Sequence, residues 1–281
     1  MSRILVAFDG LQYSASAQQY AVELARTGEW HLSGLFLDDP TYTGFAIYAA
    51  VTEDGVSESR LARLTRKDAE LRIESSGRFQ KACKEAHVSF DIHHTRKNAL
   101  TELLRESLYA DMLIVQSDIH FTHHKEDFPS RFLSRILSKS RCPVLLVPPV
   151  YKPVEGFLFL YDGTAASFRS IKNFAFPFQK FSRTQAQLLS VHAVAGPSHV
   201  KDHTSVSHWI HQHFSDVRMG VREGIPISEI DEFLKKDRMS YICVTGSYGR
   251  TSISRWFRES MSDHIHRHFQ LPVFICHDAS D

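Results

Sequence analysis

The residues in this chain best suited to chemistry are two glycines followed at a distance by serines. Gly246-Ser-Tyr-Gly249 comes directly after an apolar run, nine residues intervene, and Glu259-Ser260-Met-Ser262 follows. Glycines in such a place let backbone N–H groups approach phosphate oxygens, while serine hydroxyls and a helix N-terminus add donors and partial positive charge. Arg250 adds a full charge beside them. A bare Gly-x-x-Gly is equally compatible with a tight turn. Two acids hold a second kind of position. Asp9 and Asp162 each close an apolar run and are each followed by glycine, Gly10 and Gly163. In an open doubly wound sheet, ligands bind beyond the carboxyl ends of the strands. An acid there can accept a hydrogen bond from a base or ribose, hold a metal ion, or simply cap the next helix or turn.

These residues recur because the chain repeats itself. Residues 3–9 and 156–162 are matching apolar runs ending in Asp. Ala110–Ser117 leads through a loop and an amphipathic stretch to Cys142-Pro-Val-Leu-Leu-Val147, as Ser240–Ser247 leads to Leu271-Pro-Val-Phe-Ile-Cys276. The offset is 153 residues at the front and 129 at the back, so the first copy carries about 24 extra residues. Each copy alternates short runs rich in Val, Ile, Leu and Phe with helical periodicities such as Ala17/Tyr20/Ala21/Leu24 and Phe168/Ile171/Phe174/Ala175. That pattern predicts an α/β fold of two tandem doubly wound units, each a parallel sheet with helices on both faces. The units are expected at 1–149 and 154–281, joined by a linker stiffened by Pro148, Pro149 and Pro153. Residues 57–86 read as an outer helix, Ser228 with Asp231 as a helix start, and 38–56 as a long irregular stretch, oddly apolar, that is either an insertion packed onto its own domain or a lid or partner-contacting surface.

Composition removes several classes of function. At 281 residues the chain has room for two domains, each expected to bury its own core, and 33 basic against 32 acidic residues give no excess for binding nucleic acid or an anionic membrane. The opening Ser2-Arg3-Ile4-Leu5-Val6 has no leader character and no window is long and apolar enough to span a membrane, which implies a cytoplasmic location. Cys83, Cys142, Cys243 and Cys276 are dispersed and read as reduced and structural. There is no Gly-x-Ser-x-Gly elbow, no Gly-x-x-x-x-Gly-Lys-Ser/Thr loop and no acidic cluster of a phosphoacceptor, so no catalytic residue is assigned and slow ATP hydrolysis is the most an enzyme reading allows. Histidines number 17. His264 and His268 share a helical face, yet nothing at zinc spacing completes a metal set.

Each half resembles the universal stress protein A-like domain, in its first strand ending in Asp, its final Cys-Pro-Val-type strand, and the pattern Gly-x-x-Gly, nine residues, Gly-Ser between them. The resemblance covers nearly the whole chain and is weakest over 38–86 and 195–215. It implies a nucleotide-binding, Rossmann-like five-stranded sheet of the adenine-nucleotide alpha hydrolase type in order 3-2-1-4-5, a commonly dimeric and cytoplasmic protein of the stress response, and a tandem chain like a fused dimer. Protein partners or self-association follow from the same source. In its ATP-binding members the motif cradles the phosphates. The resemblance therefore points to Asp162 at the base or ribose, Val191 at the base through its backbone, Gly246 and Gly249 in the phosphate loop, and Ser260 and Ser262 as phosphate hydroxyls, with ATP or AMP and Mg²⁺ as the ligand of the second half. Glu259 stands where the pattern has Gly, and a carboxylate there meets phosphates with like charge. In the first half Ser117 and His120 replace the two glycines, and Ser130 and Arg131 replace Gly-Ser. The expectation is a stress-response scaffold with nucleotide binding weakened or lost; the alternative is an ATP- or AMP-binding stress protein using its second half.

Overall fold

A computed structural model describes residues 1–39, 44–52, 58–123, 126–192, 200–246 and 260–276. The first half runs β1 (Arg3–Asp9), α1 (Ala15–Gly28), β2 (His31–Leu37), α2 (Phe45–Thr52), α3 (Glu58–Glu85), β3 (Phe90–Thr95), α4 (Ala99–Ser107), β4 (Met112–Gln116), α5 (Arg131–Lys139) and β5 (Val144–Val147). The second runs β6 (Gly156–Leu160), α6 (Ala165–Ala175), a 3₁₀ turn (Gln179–Phe181), β7 (Gln185–His192), α7 (His203–His213), β8 (Val217–Glu223), α8 (Pro226–Asp237), β9 (Tyr241–Thr245), α9 (Ser260–Phe269) and β10 (Val273–Ile275).

The ten strands among the described residues lie in one sheet, ordered β3-β2-β1-β4-β5-β10-β9-β6-β7-β8. The first five follow 3-2-1-4-5, and the last five are the same order read from the other end. Neighbours are parallel except at the centre, where β5 and β10 pair antiparallel with Val144 opposite Ile275. The strands of the two halves therefore run in opposite directions, and their carboxyl ends lie at opposite edges of the sheet.

Side chains alternate across a strand. Ile4, Val6 and Phe8 join one apolar cluster with Phe157, Phe159, α1, α3, α6 and α7. Leu5 and Ala7 join the other with Leu158, Leu160, α4, α5, α8 and α9. Each cluster contains residues from both halves. This corrects the expectation of one core per half: the antiparallel β5–β10 pair makes the sheet continuous, so the interior divides by face. Cross-half contacts reinforce it. Trp30 donates its Nε1–H to the Pro177 carbonyl at 2.9 Å and meets Phe178 edge-on at 5.1 Å. In the linker, the Lys152 N–H donates to the Tyr20 hydroxyl at 3.2 Å and its ammonium donates to the Phe269 carbonyl at 3.2 Å.

Two local expectations change. Residues 38–56 are not irregular throughout, because Phe45–Thr52 form α2; its run of Phe, Ala, Ile and Tyr lacks an amphipathic period, which hid it, while its apolar character was plain. Ser228 does not open α8, which starts at Pro226 with Ile225 at the N-cap. Proline's fixed φ and missing N–H suit the first helical position, leaving Ser228 inside the first turn.

Candidate functional site

In the second half, Asp162 follows β6 and turns into α6. Its Oδ1 accepts from the Thr164 N–H at 2.9 Å, the Thr164 hydroxyl at 2.6 Å and the Ser167 hydroxyl at 2.6 Å. Thr164 is itself the N-cap of α6, accepting from the Ser167 N–H at 3.2 Å. One carboxylate oxygen is thus consumed by the turn, and among the described residues no protein donor sits on Oδ2. Gly163 has φ +78°, and a Cβ there would stand 2.9 Å from the Lys201 Cδ. The Lys201 ammonium donates to the Gly163 carbonyl at 3.1 Å, and among the described residues no carboxylate pairs with it. Val191, near the end of β7, lies two residues past Leu189, the register partner of Leu160, which sets it beside the Asp162 turn. Gly246, just past β9, faces the start of α6: a Cβ there would meet Ser167 at 3.8 to 3.9 Å, ordinary contact distance. Ser262 turns inward, buried, with its hydroxyl 3.1 Å from that of Thr245. Ser260 is the first residue of α9. Gly249 and Glu259 lie outside the described residues. Of the six predicted positions, Asp162, Val191 and Gly246 gather where β6, β7 and β9 end, whereas the Ser262 hydroxyl is engaged with the sheet.

In the first half the corresponding place is filled. Asp9 is 3% exposed, and its Oδ1 accepts from the Leu11 N–H at 2.8 Å. Burial pushes its carboxyl up to about 6, against the pull of the Leu11 and Gln12 N–H groups and the charges of His120 and Arg72. Asp38, just past β2, lies 3.2 Å from the Arg72 Nε of α3 and 3.7 Å from His94 of β3. This pair sits on Gly10, where a Cβ would stand 2.2 Å from the Asp38 Oδ1 and 3.2 Å from the Arg72 Cγ. A side chain at position 10 would push the Asp38 carboxylate aside. Ser75 also donates its hydroxyl to the Gly10 carbonyl at 3.1 Å. Above them, α2 is tied to α3 by the Gly44 N–H donating to Asp68 at 2.6 Å, and to the loop after β4 by Tyr48 stacked on His123 at 4.0 Å.

The loop after β4 is built from the residues that replace the glycine pattern. The Ser117 N–H donates to the Val147 carbonyl at 3.0 Å. Ser130 caps α5, accepting from the Leu133 N–H at 3.1 Å while donating to the Ile119 carbonyl at 3.0 Å. The His120 Nδ1 lies 2.7 Å from the Asp118 carbonyl, and Gln116 donates to the Asp118 carboxylate at 2.6 Å. Where the pattern has glycine or a small residue, the side chains of His120 and Ser130 and the backbone of Ser117 now hold the loop in place.

Comparison with known proteins bears on the family and the fold. The sequence profile of the Universal stress protein family matches residues 1–148. The chain belongs to that family. Comparison with curated protein sequences gives no match at a significant level. Among solved structures, the chain is similar to a universal stress protein from Archaeoglobus fulgidus DSM 4304, at 15% identity over 98% of each chain with a TM-score of 0.64. It is also similar to a candidate universal stress protein from Pseudomonas aeruginosa UCBPP-PA14, at 16% identity over 99% of this chain and 93% of that one, with a TM-score of 0.56. At these identities the likeness concerns the fold.

Within this universal stress protein fold, the residues that sequence reasoning missed are Asp38, Arg72, Ser75, Thr164, Ser167 and Lys201. Thr164 and Ser167 carried a signal, since Asp-Gly-Thr followed by Ser three residues on is an N-cap spacing. Arg72 carried none, being one of many charges on α3. Among the described residues no three His, Cys, Asp or Glu side chains converge to hold a metal. The His264 Nε2 lies 2.7 Å from an Asp231 oxygen instead. The four cysteines are free and buried, and no described helix is long and apolar enough to cross a membrane.

Proposed function

We propose that this universal stress protein is a cytoplasmic, non-enzymatic regulator or interaction scaffold of the stress response, built of units at 1–149 and 154–281, in which nucleotide binding is weakened or lost. The observation that carries this reading is the Asp38–Arg72 pair seated on Gly10 beside buried Asp9. A base or ribose seeking Asp9 would have to displace an ion pair whose acid is only 9% exposed, and separating such a pair without replacement costs about 3 kcal/mol or more. Partners of the scaffold are other proteins or a second copy of the chain.

A second reading places ATP or AMP, with Mg²⁺, in the second half. It is favoured by the Asp162 Oδ2, on which no described donor sits, by room for a backbone approach at Gly246 beside Ser167, and by Lys201 over the Asp162-Gly163 turn, with which no described carboxylate pairs. Glu259 opposes it. Calorimetric titration with ATP and Mg²⁺ separates the two. The scaffold reading predicts no heat, or heat from weak binding that Gly246→Val removes; tight binding that survives Gly246→Val contradicts both.

A further inference from the structure

A cleft of about 350 Å³ lies between α1 and α3. One turn of α1 lines it with Ala15, Gln18 and Gln19, and two turns of α3 line it with Arg78, Lys81 and Glu85. Both sets keep helical spacing, so each helix turns one face to the cleft. Ala15 and Ala82 border it with single methyl groups, which leaves the space between the helices open. The Asp9 crevice is a separate place, since none of Asp9, Gly10, Asp38 or Arg72 lines the cleft.

Its two ends differ in charge. The Arg78 guanidinium lies over the Tyr13 ring at 4.4 Å, just ahead of the first residue of α1, and among the described residues no carboxylate pairs with it. Helix α1 opens with no side-chain cap from Ser14 and no acid in its first turn, so the partial positive charge of its N-terminus adds to that of Arg78. The Gln18 Oε1 accepts from the Tyr13 hydroxyl, which leaves the amide N–H₂ to donate. Glu85 stands about 10 Å further along α3 than Arg78, by the helical rise. Between them Lys81 meets Glu85 at 3.8 Å with both side chains largely exposed, a loose contact that a ligand group can replace. No aromatic ring lines the cleft, and Tyr13 beneath Arg78 is stacked on Phe8 at 5.2 Å. A purine finds no face to stack on there.

We propose that this cleft binds a small phosphorylated polyol, its phosphate held by Arg78 and Lys81 beside the α1 N-terminus and its hydroxyls by Gln18, Gln19 and Glu85. Arginine presents paired N–H donors to phosphate oxygens. Hydroxyls can both donate to the Glu85 carboxylate and accept from the glutamine amides, which a bare anion cannot do. The volume falls at the lower end of small-molecule sites, roughly 300–1,000 Å³, and suits a ligand smaller than a nucleotide. The site would stand whether or not either half takes ATP.

Amide NMR of the intact chain titrated with glycerol 3-phosphate tests this. Saturable shifts are expected at residues 15–19 and at Arg78 and Lys81, with a dissociation constant of about 1 mM or below. Inorganic phosphate, lacking the hydroxyls, should bind about tenfold more weakly. Arg78→Gln should weaken glycerol 3-phosphate binding by about tenfold or more. Ala82→Leu keeps every charge but fills the cleft, and should abolish binding, whereas Lys84→Gln, on α3 outside the cleft, should leave it unchanged. Amide dispersion reports the fold of each variant, and Arg78→Gln, at an exposed residue, decides the matter if Ala82→Leu does not fold. Absence of saturable shifts with glycerol 3-phosphate, or binding that survives Arg78→Gln undiminished, overturns the proposal; equal affinity for inorganic phosphate overturns the assignment of a polyol.

Discussion

The two Asp-Gly turns are copies of one device placed in different surroundings. At Asp9-Gly10 the space beyond the strand is taken by Asp38, Arg72 and Ser75, brought there by the longer connection through α2 and α3. At Asp162-Gly163 the described part of the connection supplies Lys201, which bonds to a backbone carbonyl. Both copies bring a cation over the turn. In the first it is neutralised by the acid that ends β2, and in the second the corresponding strand ends in His192. The longer connection thus sets an ion pair over one turn where the shorter one sets a lysine over the other, on the same sheet.

That comparison can be broken or sharpened by substitution. The largest effect is expected at Arg72. Arg72→Ala leaves Asp38 almost buried with His94, at 3.7 Å, as its remaining basic neighbour among the described residues, and unfolding by denaturant should show a loss of about 3 kcal/mol. A loss below about 0.5 kcal/mol would mean the pair does not hold α3 to the crevice.

Asp9 gives the next effect, with opposite sign. Its carboxyl is raised from 3.8 to about 6 in the folded chain, so folding holds a proton that the unfolded chain releases between those values. Its contribution to stability falls as pH rises from about 4 to 6 and stays unfavourable above. Asp9→Asn should therefore stabilise the chain by about 2 kcal/mol at pH 7.5 and by much less at pH 4, the amide oxygen still accepting from Leu11.

Smaller effects fall in the second half. Glu259→Gly restores the family pattern and removes a like charge, so any Mg²⁺-ATP affinity should tighten about tenfold, or 1.4 kcal/mol; calorimetry showing weaker binding would remove Glu259 from the argument. Gly163→Ala, at φ +78°, should cost about 1 kcal/mol by thermal unfolding. No loss there would mean the turn relaxes, and with it the placement of Asp162.

Much of the fold could be read from residues alone, because strands buried on both faces show as continuous apolar runs and the repeated Asp-Gly and Pro-Val pairs mark equivalent positions. The same continuity hid the division of the core: when both faces of Arg3–Asp9 are apolar, sequence does not say whether a neighbouring helix belongs to the same half. Helix α2 escaped because eight residues with few polar ones carry no period. At the site, Asp162, Val191 and Gly246 were legible through motif and strand position. Arg72 was not, since it acts on a residue 34 positions away in sequence, Asp38.

Mapping backbone NMR shifts on the intact chain during addition of ATP with Mg²⁺ tests the central claim most directly. The account predicts that the amides of Gly10, Leu11 and Ser117 stay unmoved at any nucleotide concentration, and that shifts, where they occur, cluster at Gly163, Val191 and Gly246. Saturable shifts at Gly10 and Ser117 would contradict it.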